Sequence, residues 1–358
     1  MAGRFMEQAA NRDYSKWWQA EGSIGYLVQK PKPPIEGRPH DIADNYVRAA
    51  TGNQPFWIPV YGTESNTIWP DAMEEHPVPE VDGYDWWGVN WIMEKGIGGM
   101  ITKPGTRTIS TFAKWQEELE WPDLSLVDFA ADGKKLSANL DPQRVHVYQC
   151  VEGIFERLHE LIPFDESLLA FYEEPELLDA FFNKMADYKI ESCGKIIDHY
   201  GRVDGVLYHD DWGTERAGFF SNEMFEAQLF PPTKRLMDYL HTRVKFIELH
   251  SCGRNMQYVP LMIRLGINVW TPQARCNDLD FLYDTYGDRM TFTIPLRIRA
   301  GLSSDERKAA VRAYVDRYAP KGRVLCMISC EDRKDAKEVE AELVAYSYAF
   351  YNKLYGRA

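Results

Sequence analysis

The chain holds no run of about 18 apolar residues, so the sequence predicts no membrane-spanning helix. Its first stretch, MAGRFMEQAANRDYSKWWQAEG, lacks the apolar core of a secretory signal, and a cytoplasmic protein is expected. Basic residues are also scarce, 41 against 54 acidic ones, which gives a formal net charge of −13. A polyanion would meet an unfavourable overall field, so nucleic acid is not an expected partner. Six cysteines, scattered from Cys150 to Cys330, are too few for a disulfide framework. No Gly-rich dinucleotide fingerprint follows the first predicted strand, FWIPVYG.

What is present is an ordinary folded composition, 45% apolar and 27% charged, arranged in a regular alternation. Residues 1–45, with the proline-rich QKPKPPIEGRP, read as an N-terminal arm, and 46–358 as one folded body. From residue 145 the pattern repeats: the strand VHVYQC, a long amphipathic helix through PELLDAFFNKMADYKIESCGKIIDHYG, then the strand VDGVLYHDDWG. VKFIELHSCG, INVWTPQ, RMTFTIPL and RVLCMISC follow as strands with helical segments between them. With FWIPVYG and a strand near GGMITK, about eight strands are predicted, which fits a (β/α)8 TIM barrel with an N-terminal extension.

Active sites of such barrels lie at the C-terminal ends of the strands, where the unusual polar groups HDDWG, HSCG, TPQ and SC fall. In IELHSCGRN, His250 and Cys252 are two positions apart on a strand, so they leave the same face and can meet one ion. Zinc accepts that nitrogen and sulfur pairing, and a catalytic zinc keeps three protein ligands and one open position. Cys330, at the end of the last strand, is the better placed third ligand, and Cys326 the deeper alternative. Tryptophans and tyrosines crowd residues 57–91, and among them Trp57, Tyr61 and Trp86 are expected either in the core or as the wall of a flat pocket.

DDWGTERAGFFSNEMFEAQLFPPTKRLMDYLH, ELHSCGRNMQYVPLMIRLGINVWTPQ and LYDTYGDRMTFTIP resemble, in order and spacing, the uroporphyrinogen decarboxylase superfamily. The resemblance runs from about residue 45 to the C-terminus and is strongest over 203–295. It implies a (β/α)8 barrel and one of two chemistries: cofactor-free porphyrinogen decarboxylation, or zinc-dependent methyl transfer with a corrinoid protein. The decarboxylases carry an arginine-rich motif of the form R-Q-A-G-R, whereas the corresponding strand here, FWIPVYGTESN, has no arginine. The methyltransferases resemble this chain at H-x-C and at a C-terminal cysteine, which implies zinc ligands His250, Cys252 and Cys330. Where that family has Gly-Gly-Ile-Asp, this chain has Ile294-Pro295-Leu296-Arg297.

The expected reaction moves a methyl group from a small methylated substrate, an aromatic methyl ether, to cobalamin. No D-x-H-x-x-G cobalamin motif occurs, so a separate corrinoid protein is the implied partner. Asp210 or Asp211 would assist at the ether oxygen, where a Lewis acid or proton donor lowers the barrier. Tyr208, Trp212 and Gln273 lie beside the same strand ends and are expected substrate contacts, and Arg297 would hold the carboxylate of a methoxybenzoate. Methyl transfer from a corrinoid to a thiol, porphyrinogen decarboxylation, and a catalytically silent barrel are the rival readings.

Overall fold

A computed structural model describes residues 32–73, 75, 83–94 and 99–357. Most of the expected N-terminal arm, residues 1–31, lies outside the described residues. Its remainder lies against the body, where Lys32 Nζ donates to the carbonyls of Gly62 and Ser65 at 2.6 Å each. Arg38 bridges Glu64 and Glu340, again at 2.6 Å.

Ten strands are described: β1 Ser65–Ile68, β2 Gly83–Tyr84, β3 Asn90–Glu94, β4 Gly99–Thr102, β5 Val145–Cys150, β6 Gly205–His209, β7 Phe246–Ser251, β8 Val269–Pro272, β9 Thr291–Ile298 and β10 Val324–Cys330. Seven of them form one all-parallel sheet in the order β1-β5-β6-β7-β8-β9-β10. The chain just before β1 reaches the far edge: Val60 bridges Cys326, Tyr61 N–H donates to the Cys326 carbonyl at 2.8 Å, and Cys326 N–H to that of Pro59 at 2.9 Å. Residues 59–68 therefore touch both edges, and the sheet curls into the expected barrel. GGMITK, expected in the barrel wall, is instead β4 of a separate antiparallel sheet, β2-β3-β4, in which Trp91 pairs with Thr102. The barrel wall thus has seven parallel strands among the described residues rather than about eight.

One end of the barrel is plugged by α1, Ile42–Thr51, capped by the Asp41 carboxylate and closed by Gly52 in the left-handed region. Its Ala43, Tyr46, Ala49 and Ala50 enter the barrel among Val145, Val147, Leu207, Phe246, Val269 and Leu325. Gly205 is required here, because a Cβ would lie 2.4 Å from the Phe246 ring. Strand residues of the opposite parity, such as Val206, Tyr208, Ile247 and Leu249, join the large core that includes the surrounding helices. Those helices include α2 Phe129–Ser137, α3 Ile154–Leu161, α4 Phe164–Glu173, α5 Pro175–His199, α6 Phe230–His241, α7 Val259–Leu265, α8 Leu279–Tyr286, α9 Ser304–Tyr318 and α10 Ala336–Leu354. The helix predicted around Pro231-Pro232 is continuous with a π-helical turn over Phe225–Leu229. That turn accommodates prolines that cannot donate N–H.

The antiparallel sheet is tied to α3 by buried charge. Arg157, fully buried, lies 2.8 Å from Glu75, 3.1 Å from Asp85 and 2.9 Å from Glu160, with the Trp87 ring 5.0 Å from its guanidinium. Asp85 also accepts from the Trp91 indole at 2.9 Å. Removing the cation strands several desolvated carboxylates, so Arg157→Met should lower stability by about 3–5 kcal/mol in denaturant unfolding at pH 7. A loss below about 1 kcal/mol would show that the network does not hold these elements together.

Candidate metal centre

Side-chain parity builds the site. On β6 and its continuation, Leu207, His209 and Asp211 face the barrel mouth, while Tyr208 and Asp210 face the helices. On β7, His250 takes the inward face, and Cys252 follows two residues later in the turn that ends the strand. His209 and His250 are register partners on adjacent strands, so their rings stack with centroids 4.9 Å apart and planes at 28°.

The donor atoms of His209, Asp211, His250 and Cys252 all lie within 4.8 Å of one another, each residue half-buried. His250 Nδ1 sits 2.9 Å from the Thr271 carbonyl, which can only accept, so Nδ1 carries the proton and Nε2 presents its lone pair. Nε2 lies 3.5 Å from Cys252 Sγ. His209 Nδ1 is 2.8 Å from Glu156 Oε2, which turns its Nε2 toward Asp211, 4.0 Å away. Asp211 accepts from the Cys252 N–H at 2.6 Å.

Two imidazole nitrogens, a thiol sulfur and a carboxylate oxygen form a donor set that zinc accepts, and the carboxylate behind His209 and the carbonyl behind His250 are the usual supports of metal-binding imidazoles. Burial, with the His209 ring beside it, pushes His250 down to about 4, which keeps it neutral. Burial disfavours a charged His209, but the Glu156 and Asp211 carboxylates outweigh it and raise the ring to about 10. Burial and Asp211 push the Cys252 thiol up. Metal capture would displace protons from His209 and Cys252.

The turn carrying Cys252 is clamped on all sides. Gly253 has φ +99, and a Cβ there would meet the Gly213 carbonyl at 2.3 Å, so the two strand-end loops touch backbone to backbone. Gly253 N–H donates to Gln273 at 3.1 Å, Asn277 donates to the Gly253 carbonyl at 2.9 Å, and Asn255 to the Cys252 carbonyl at 2.6 Å.

His250, Cys252 and Asp211 are brought together as expected, but several other expected residues are placed elsewhere. Cys330 shares the parity of Cys326, the face away from the barrel mouth: Cys326 lies in the core beside Tyr314 of α9, and Cys330 packs against the same core, near Arg307 and Asp335. Met327 is the β10 residue that lines the mouth. Cys330 is therefore not brought to the donor group, whose other members are His209 and Asp211. Asp210, fully buried, accepts from the N–H groups of Phe155 and Glu156 at the start of α3 and from Tyr208 Oη at 2.8 Å. It serves as a cap across the strands and does not reach the cavity. Gly153 permits this approach, since a Cβ there would fall 2.3 Å from Asp210 Cβ.

Of the expected substrate contacts, only Tyr61 lines the cavity. Trp57 packs with Ile42 and Val344 and donates to Glu64. Trp86, Tyr208 and Trp212 belong to the core, and Gln273 braces the Gly253 turn. Arg297 is exposed and lies outside the cavity lining. His209 and Glu156 were not singled out in the sequence. The available signals were a histidine next to Asp210-Asp211 and the spacing of Glu152, Glu156, His159 and Glu160 along one helical face.

Above the donor group opens a cavity of about 850 Å³. Gln149, Val151, Leu207, Thr271 and Met327 line it from the barrel, Trp91 and residues 100–106 from the antiparallel sheet and its continuation, and Glu152, Glu156, His159, Glu160 and Phe164 from the α3 region.

The uroporphyrinogen decarboxylase family model matches residues 86–292. No curated protein matches the chain significantly. Among solved structures, a methyltransferase from Methanosarcina mazei superposes with a TM-score of 0.55 at 12% identity, covering 87% of this chain and 99% of its own. A sugar phosphate isomerase/epimerase from Parabacteroides distasonis gives a TM-score of 0.32 at 12% identity, covering 66% of this chain and 81% of its own.

Zinc titration against a competing chelator should give about one ion per chain. His250→Ala and Cys252→Ala should abolish stoichiometric binding while Cys330→Ala retains it, and zinc loss in Cys330→Ala would return that cysteine to the ligand set. Glu156→Gln, which weakens the support behind His209, should reduce zinc affinity by about 10–100-fold.

Proposed function

Given that the chain belongs to the uroporphyrinogen decarboxylase family, whose fold fixes no single reaction, we propose that it is a zinc-dependent methyltransferase. On this reading it transfers a methyl group from a small methyl ether to the cobalamin of a separate corrinoid protein. The observation that carries the reading is the convergence of His209, Asp211, His250 and Cys252 on one point at the base of a large cavity. Zinc held by three of these residues would keep one position open and supply a Lewis acid for the ether oxygen, whose phenolate is otherwise a poor leaving group.

The protein's own part is placement. The Thr271 carbonyl and Glu156 fix the two imidazoles, and Asp211 orients the Cys252 backbone. Tyr61, Trp69 and Trp91 in the cavity lining supply aromatic surface against which a ring can rest while its methyl group waits for in-line attack. In the reaction the ether C–O bond breaks with its electron pair left on oxygen, and the departing phenolate takes a proton from water. The new carbon bond takes its pair from the reduced corrinoid. A cavity with four carboxylates and no arginine among its described lining residues is poorly suited to a porphyrinogen bearing many carboxylates, so decarboxylation is the weaker reading.

The test follows formation of methylcobalamin spectroscopically after reduced cobalamin and 2-methoxyphenol are added to the zinc-loaded protein. The expected result is methylation that His250→Ala lowers by at least about 100-fold, on the order of one lost transition-state interaction. Demethylation that proceeds equally well without cobalamin would overturn the mechanism.

A further inference from the structure

Several polar side chains of the cavity wall are already engaged by the protein. Glu156 is held by His209, Glu160 by Arg157, and Thr271 Oγ1 donates to Glu248 at 2.6 Å. His159, half-buried in the same wall, is not engaged: among the described residues, no other residue hydrogen-bonds its ring nitrogens. Its neighbours are the rings of Phe155 and Phe164, with centroids 5.2 and 5.5 Å away and planes at 59° and 71°, contacts that orient the imidazole without using a nitrogen. Burial outweighs the Asp211 and Glu152 carboxylates and lowers the His159 pKa, so the ring is neutral at pH 7, and a cation at the donor group would push it the same way. A neutral imidazole offers one N–H and one lone pair, the complement of a hydroxyl. His159 follows Glu156 by three residues in α3, so the two share a helix face with Cβ atoms about 5–6 Å apart, and Glu156 is the residue that holds His209. His159 thus stands one helical turn along the wall from the support of the donor group.

We infer, resting on the methyl-transfer reading, that His159 is a specificity-determining residue that hydrogen-bonds a hydroxyl on the far side of the substrate ring from its methoxy group. The substrate class is then a 4-hydroxyaryl methyl ether, for which 4-methoxyphenol is the simplest probe. A ring without that hydroxyl displaces water from the imidazole and leaves it unpaired against an apolar edge. Discrimination of this kind comes from the polar group that the wrong ligand fails to satisfy.

The test is calorimetric titration of the zinc-loaded full chain with 4-methoxyphenol and methoxybenzene, run beside the methylcobalamin assay. The phenol should bind about tenfold more tightly, the order of one hydrogen bond to a half-buried polar group. His159→Phe keeps a ring beside Phe155 and Phe164 but has no nitrogen, and should bring the ratio to about one or below. His159→Gln keeps a donor and an acceptor and should retain a preference of about threefold. Zinc titration of both variants separates ligand selectivity from the metal centre. Equal binding or no binding of the two ligands by the unsubstituted chain overturns the inference. So does a preference that survives His159→Phe, a His159→Gln ratio no higher than that of His159→Phe, or loss of zinc from either variant. The expected ratios without methyl transfer to cobalamin support the role of His159 and overturn the methyl-transfer reading instead.

Discussion

Parallel pairing of β6 with β7 in one fixed register is the constraint on which the site depends. His209 lies opposite His250, and alternation along each strand then decides every neighbour. Asp211 follows His209 onto the inner side, and Cys252 follows His250. A slip of one residue in either strand would turn an imidazole into the helix layer and expose a core residue such as Tyr208 or Leu249 to the cavity. The glycines at 213 and 253 complete the arrangement, because only residues without Cβ let the two strand-end loops meet backbone to backbone.

The surroundings of the donor group are costly to build and are stabilised by pairing. Glu156 is buried yet engaged by His209, Glu160 is buried yet engaged by Arg157, and Arg157 is itself buried among Glu75, Asp85 and Glu160. Arg157, which fastens α3 to the antiparallel sheet, is the sequence neighbour of Glu156, which supports His209, so one helix carries both the tie to the cavity's side and the support of the imidazole. A pocket built this way is preorganised, because its polar groups are held by partners before any ligand arrives.

Much of this architecture was legible in the chain. Alternating strand and helix signals, polar residues gathered at strand ends, and H-x-C on one strand face are local patterns, and local sterics and hydrophobic burial enforce them. They sufficed for the barrel, for polar side chains gathered at its mouth, and for His250 and Cys252 sharing a side. The resemblance in DDWG through TFTIP likewise agrees with the family match over residues 86–292.

Whatever depended on the phase of one strand relative to another was decided only by the tertiary structure. Asp210 and Asp211 are adjacent in sequence and of the same chemistry, yet one caps α3 and the other faces the cavity. Cys330 ends the right strand but on the wrong side, and His209 stands beside His250 only because β6 pairs with β7. Of the aromatic residues between 57 and 91, Trp57, Trp86 and Trp87 went to packing while Tyr61, Trp69 and Trp91 line the cavity, since a bulky ring gains burial in either role and its sequence does not distinguish them. The sequence by itself determined which residue types were available near each strand end. Their assembly into one donor group inside an acidic cavity required the register, parity and buried pairing that exist only once the sheet has closed.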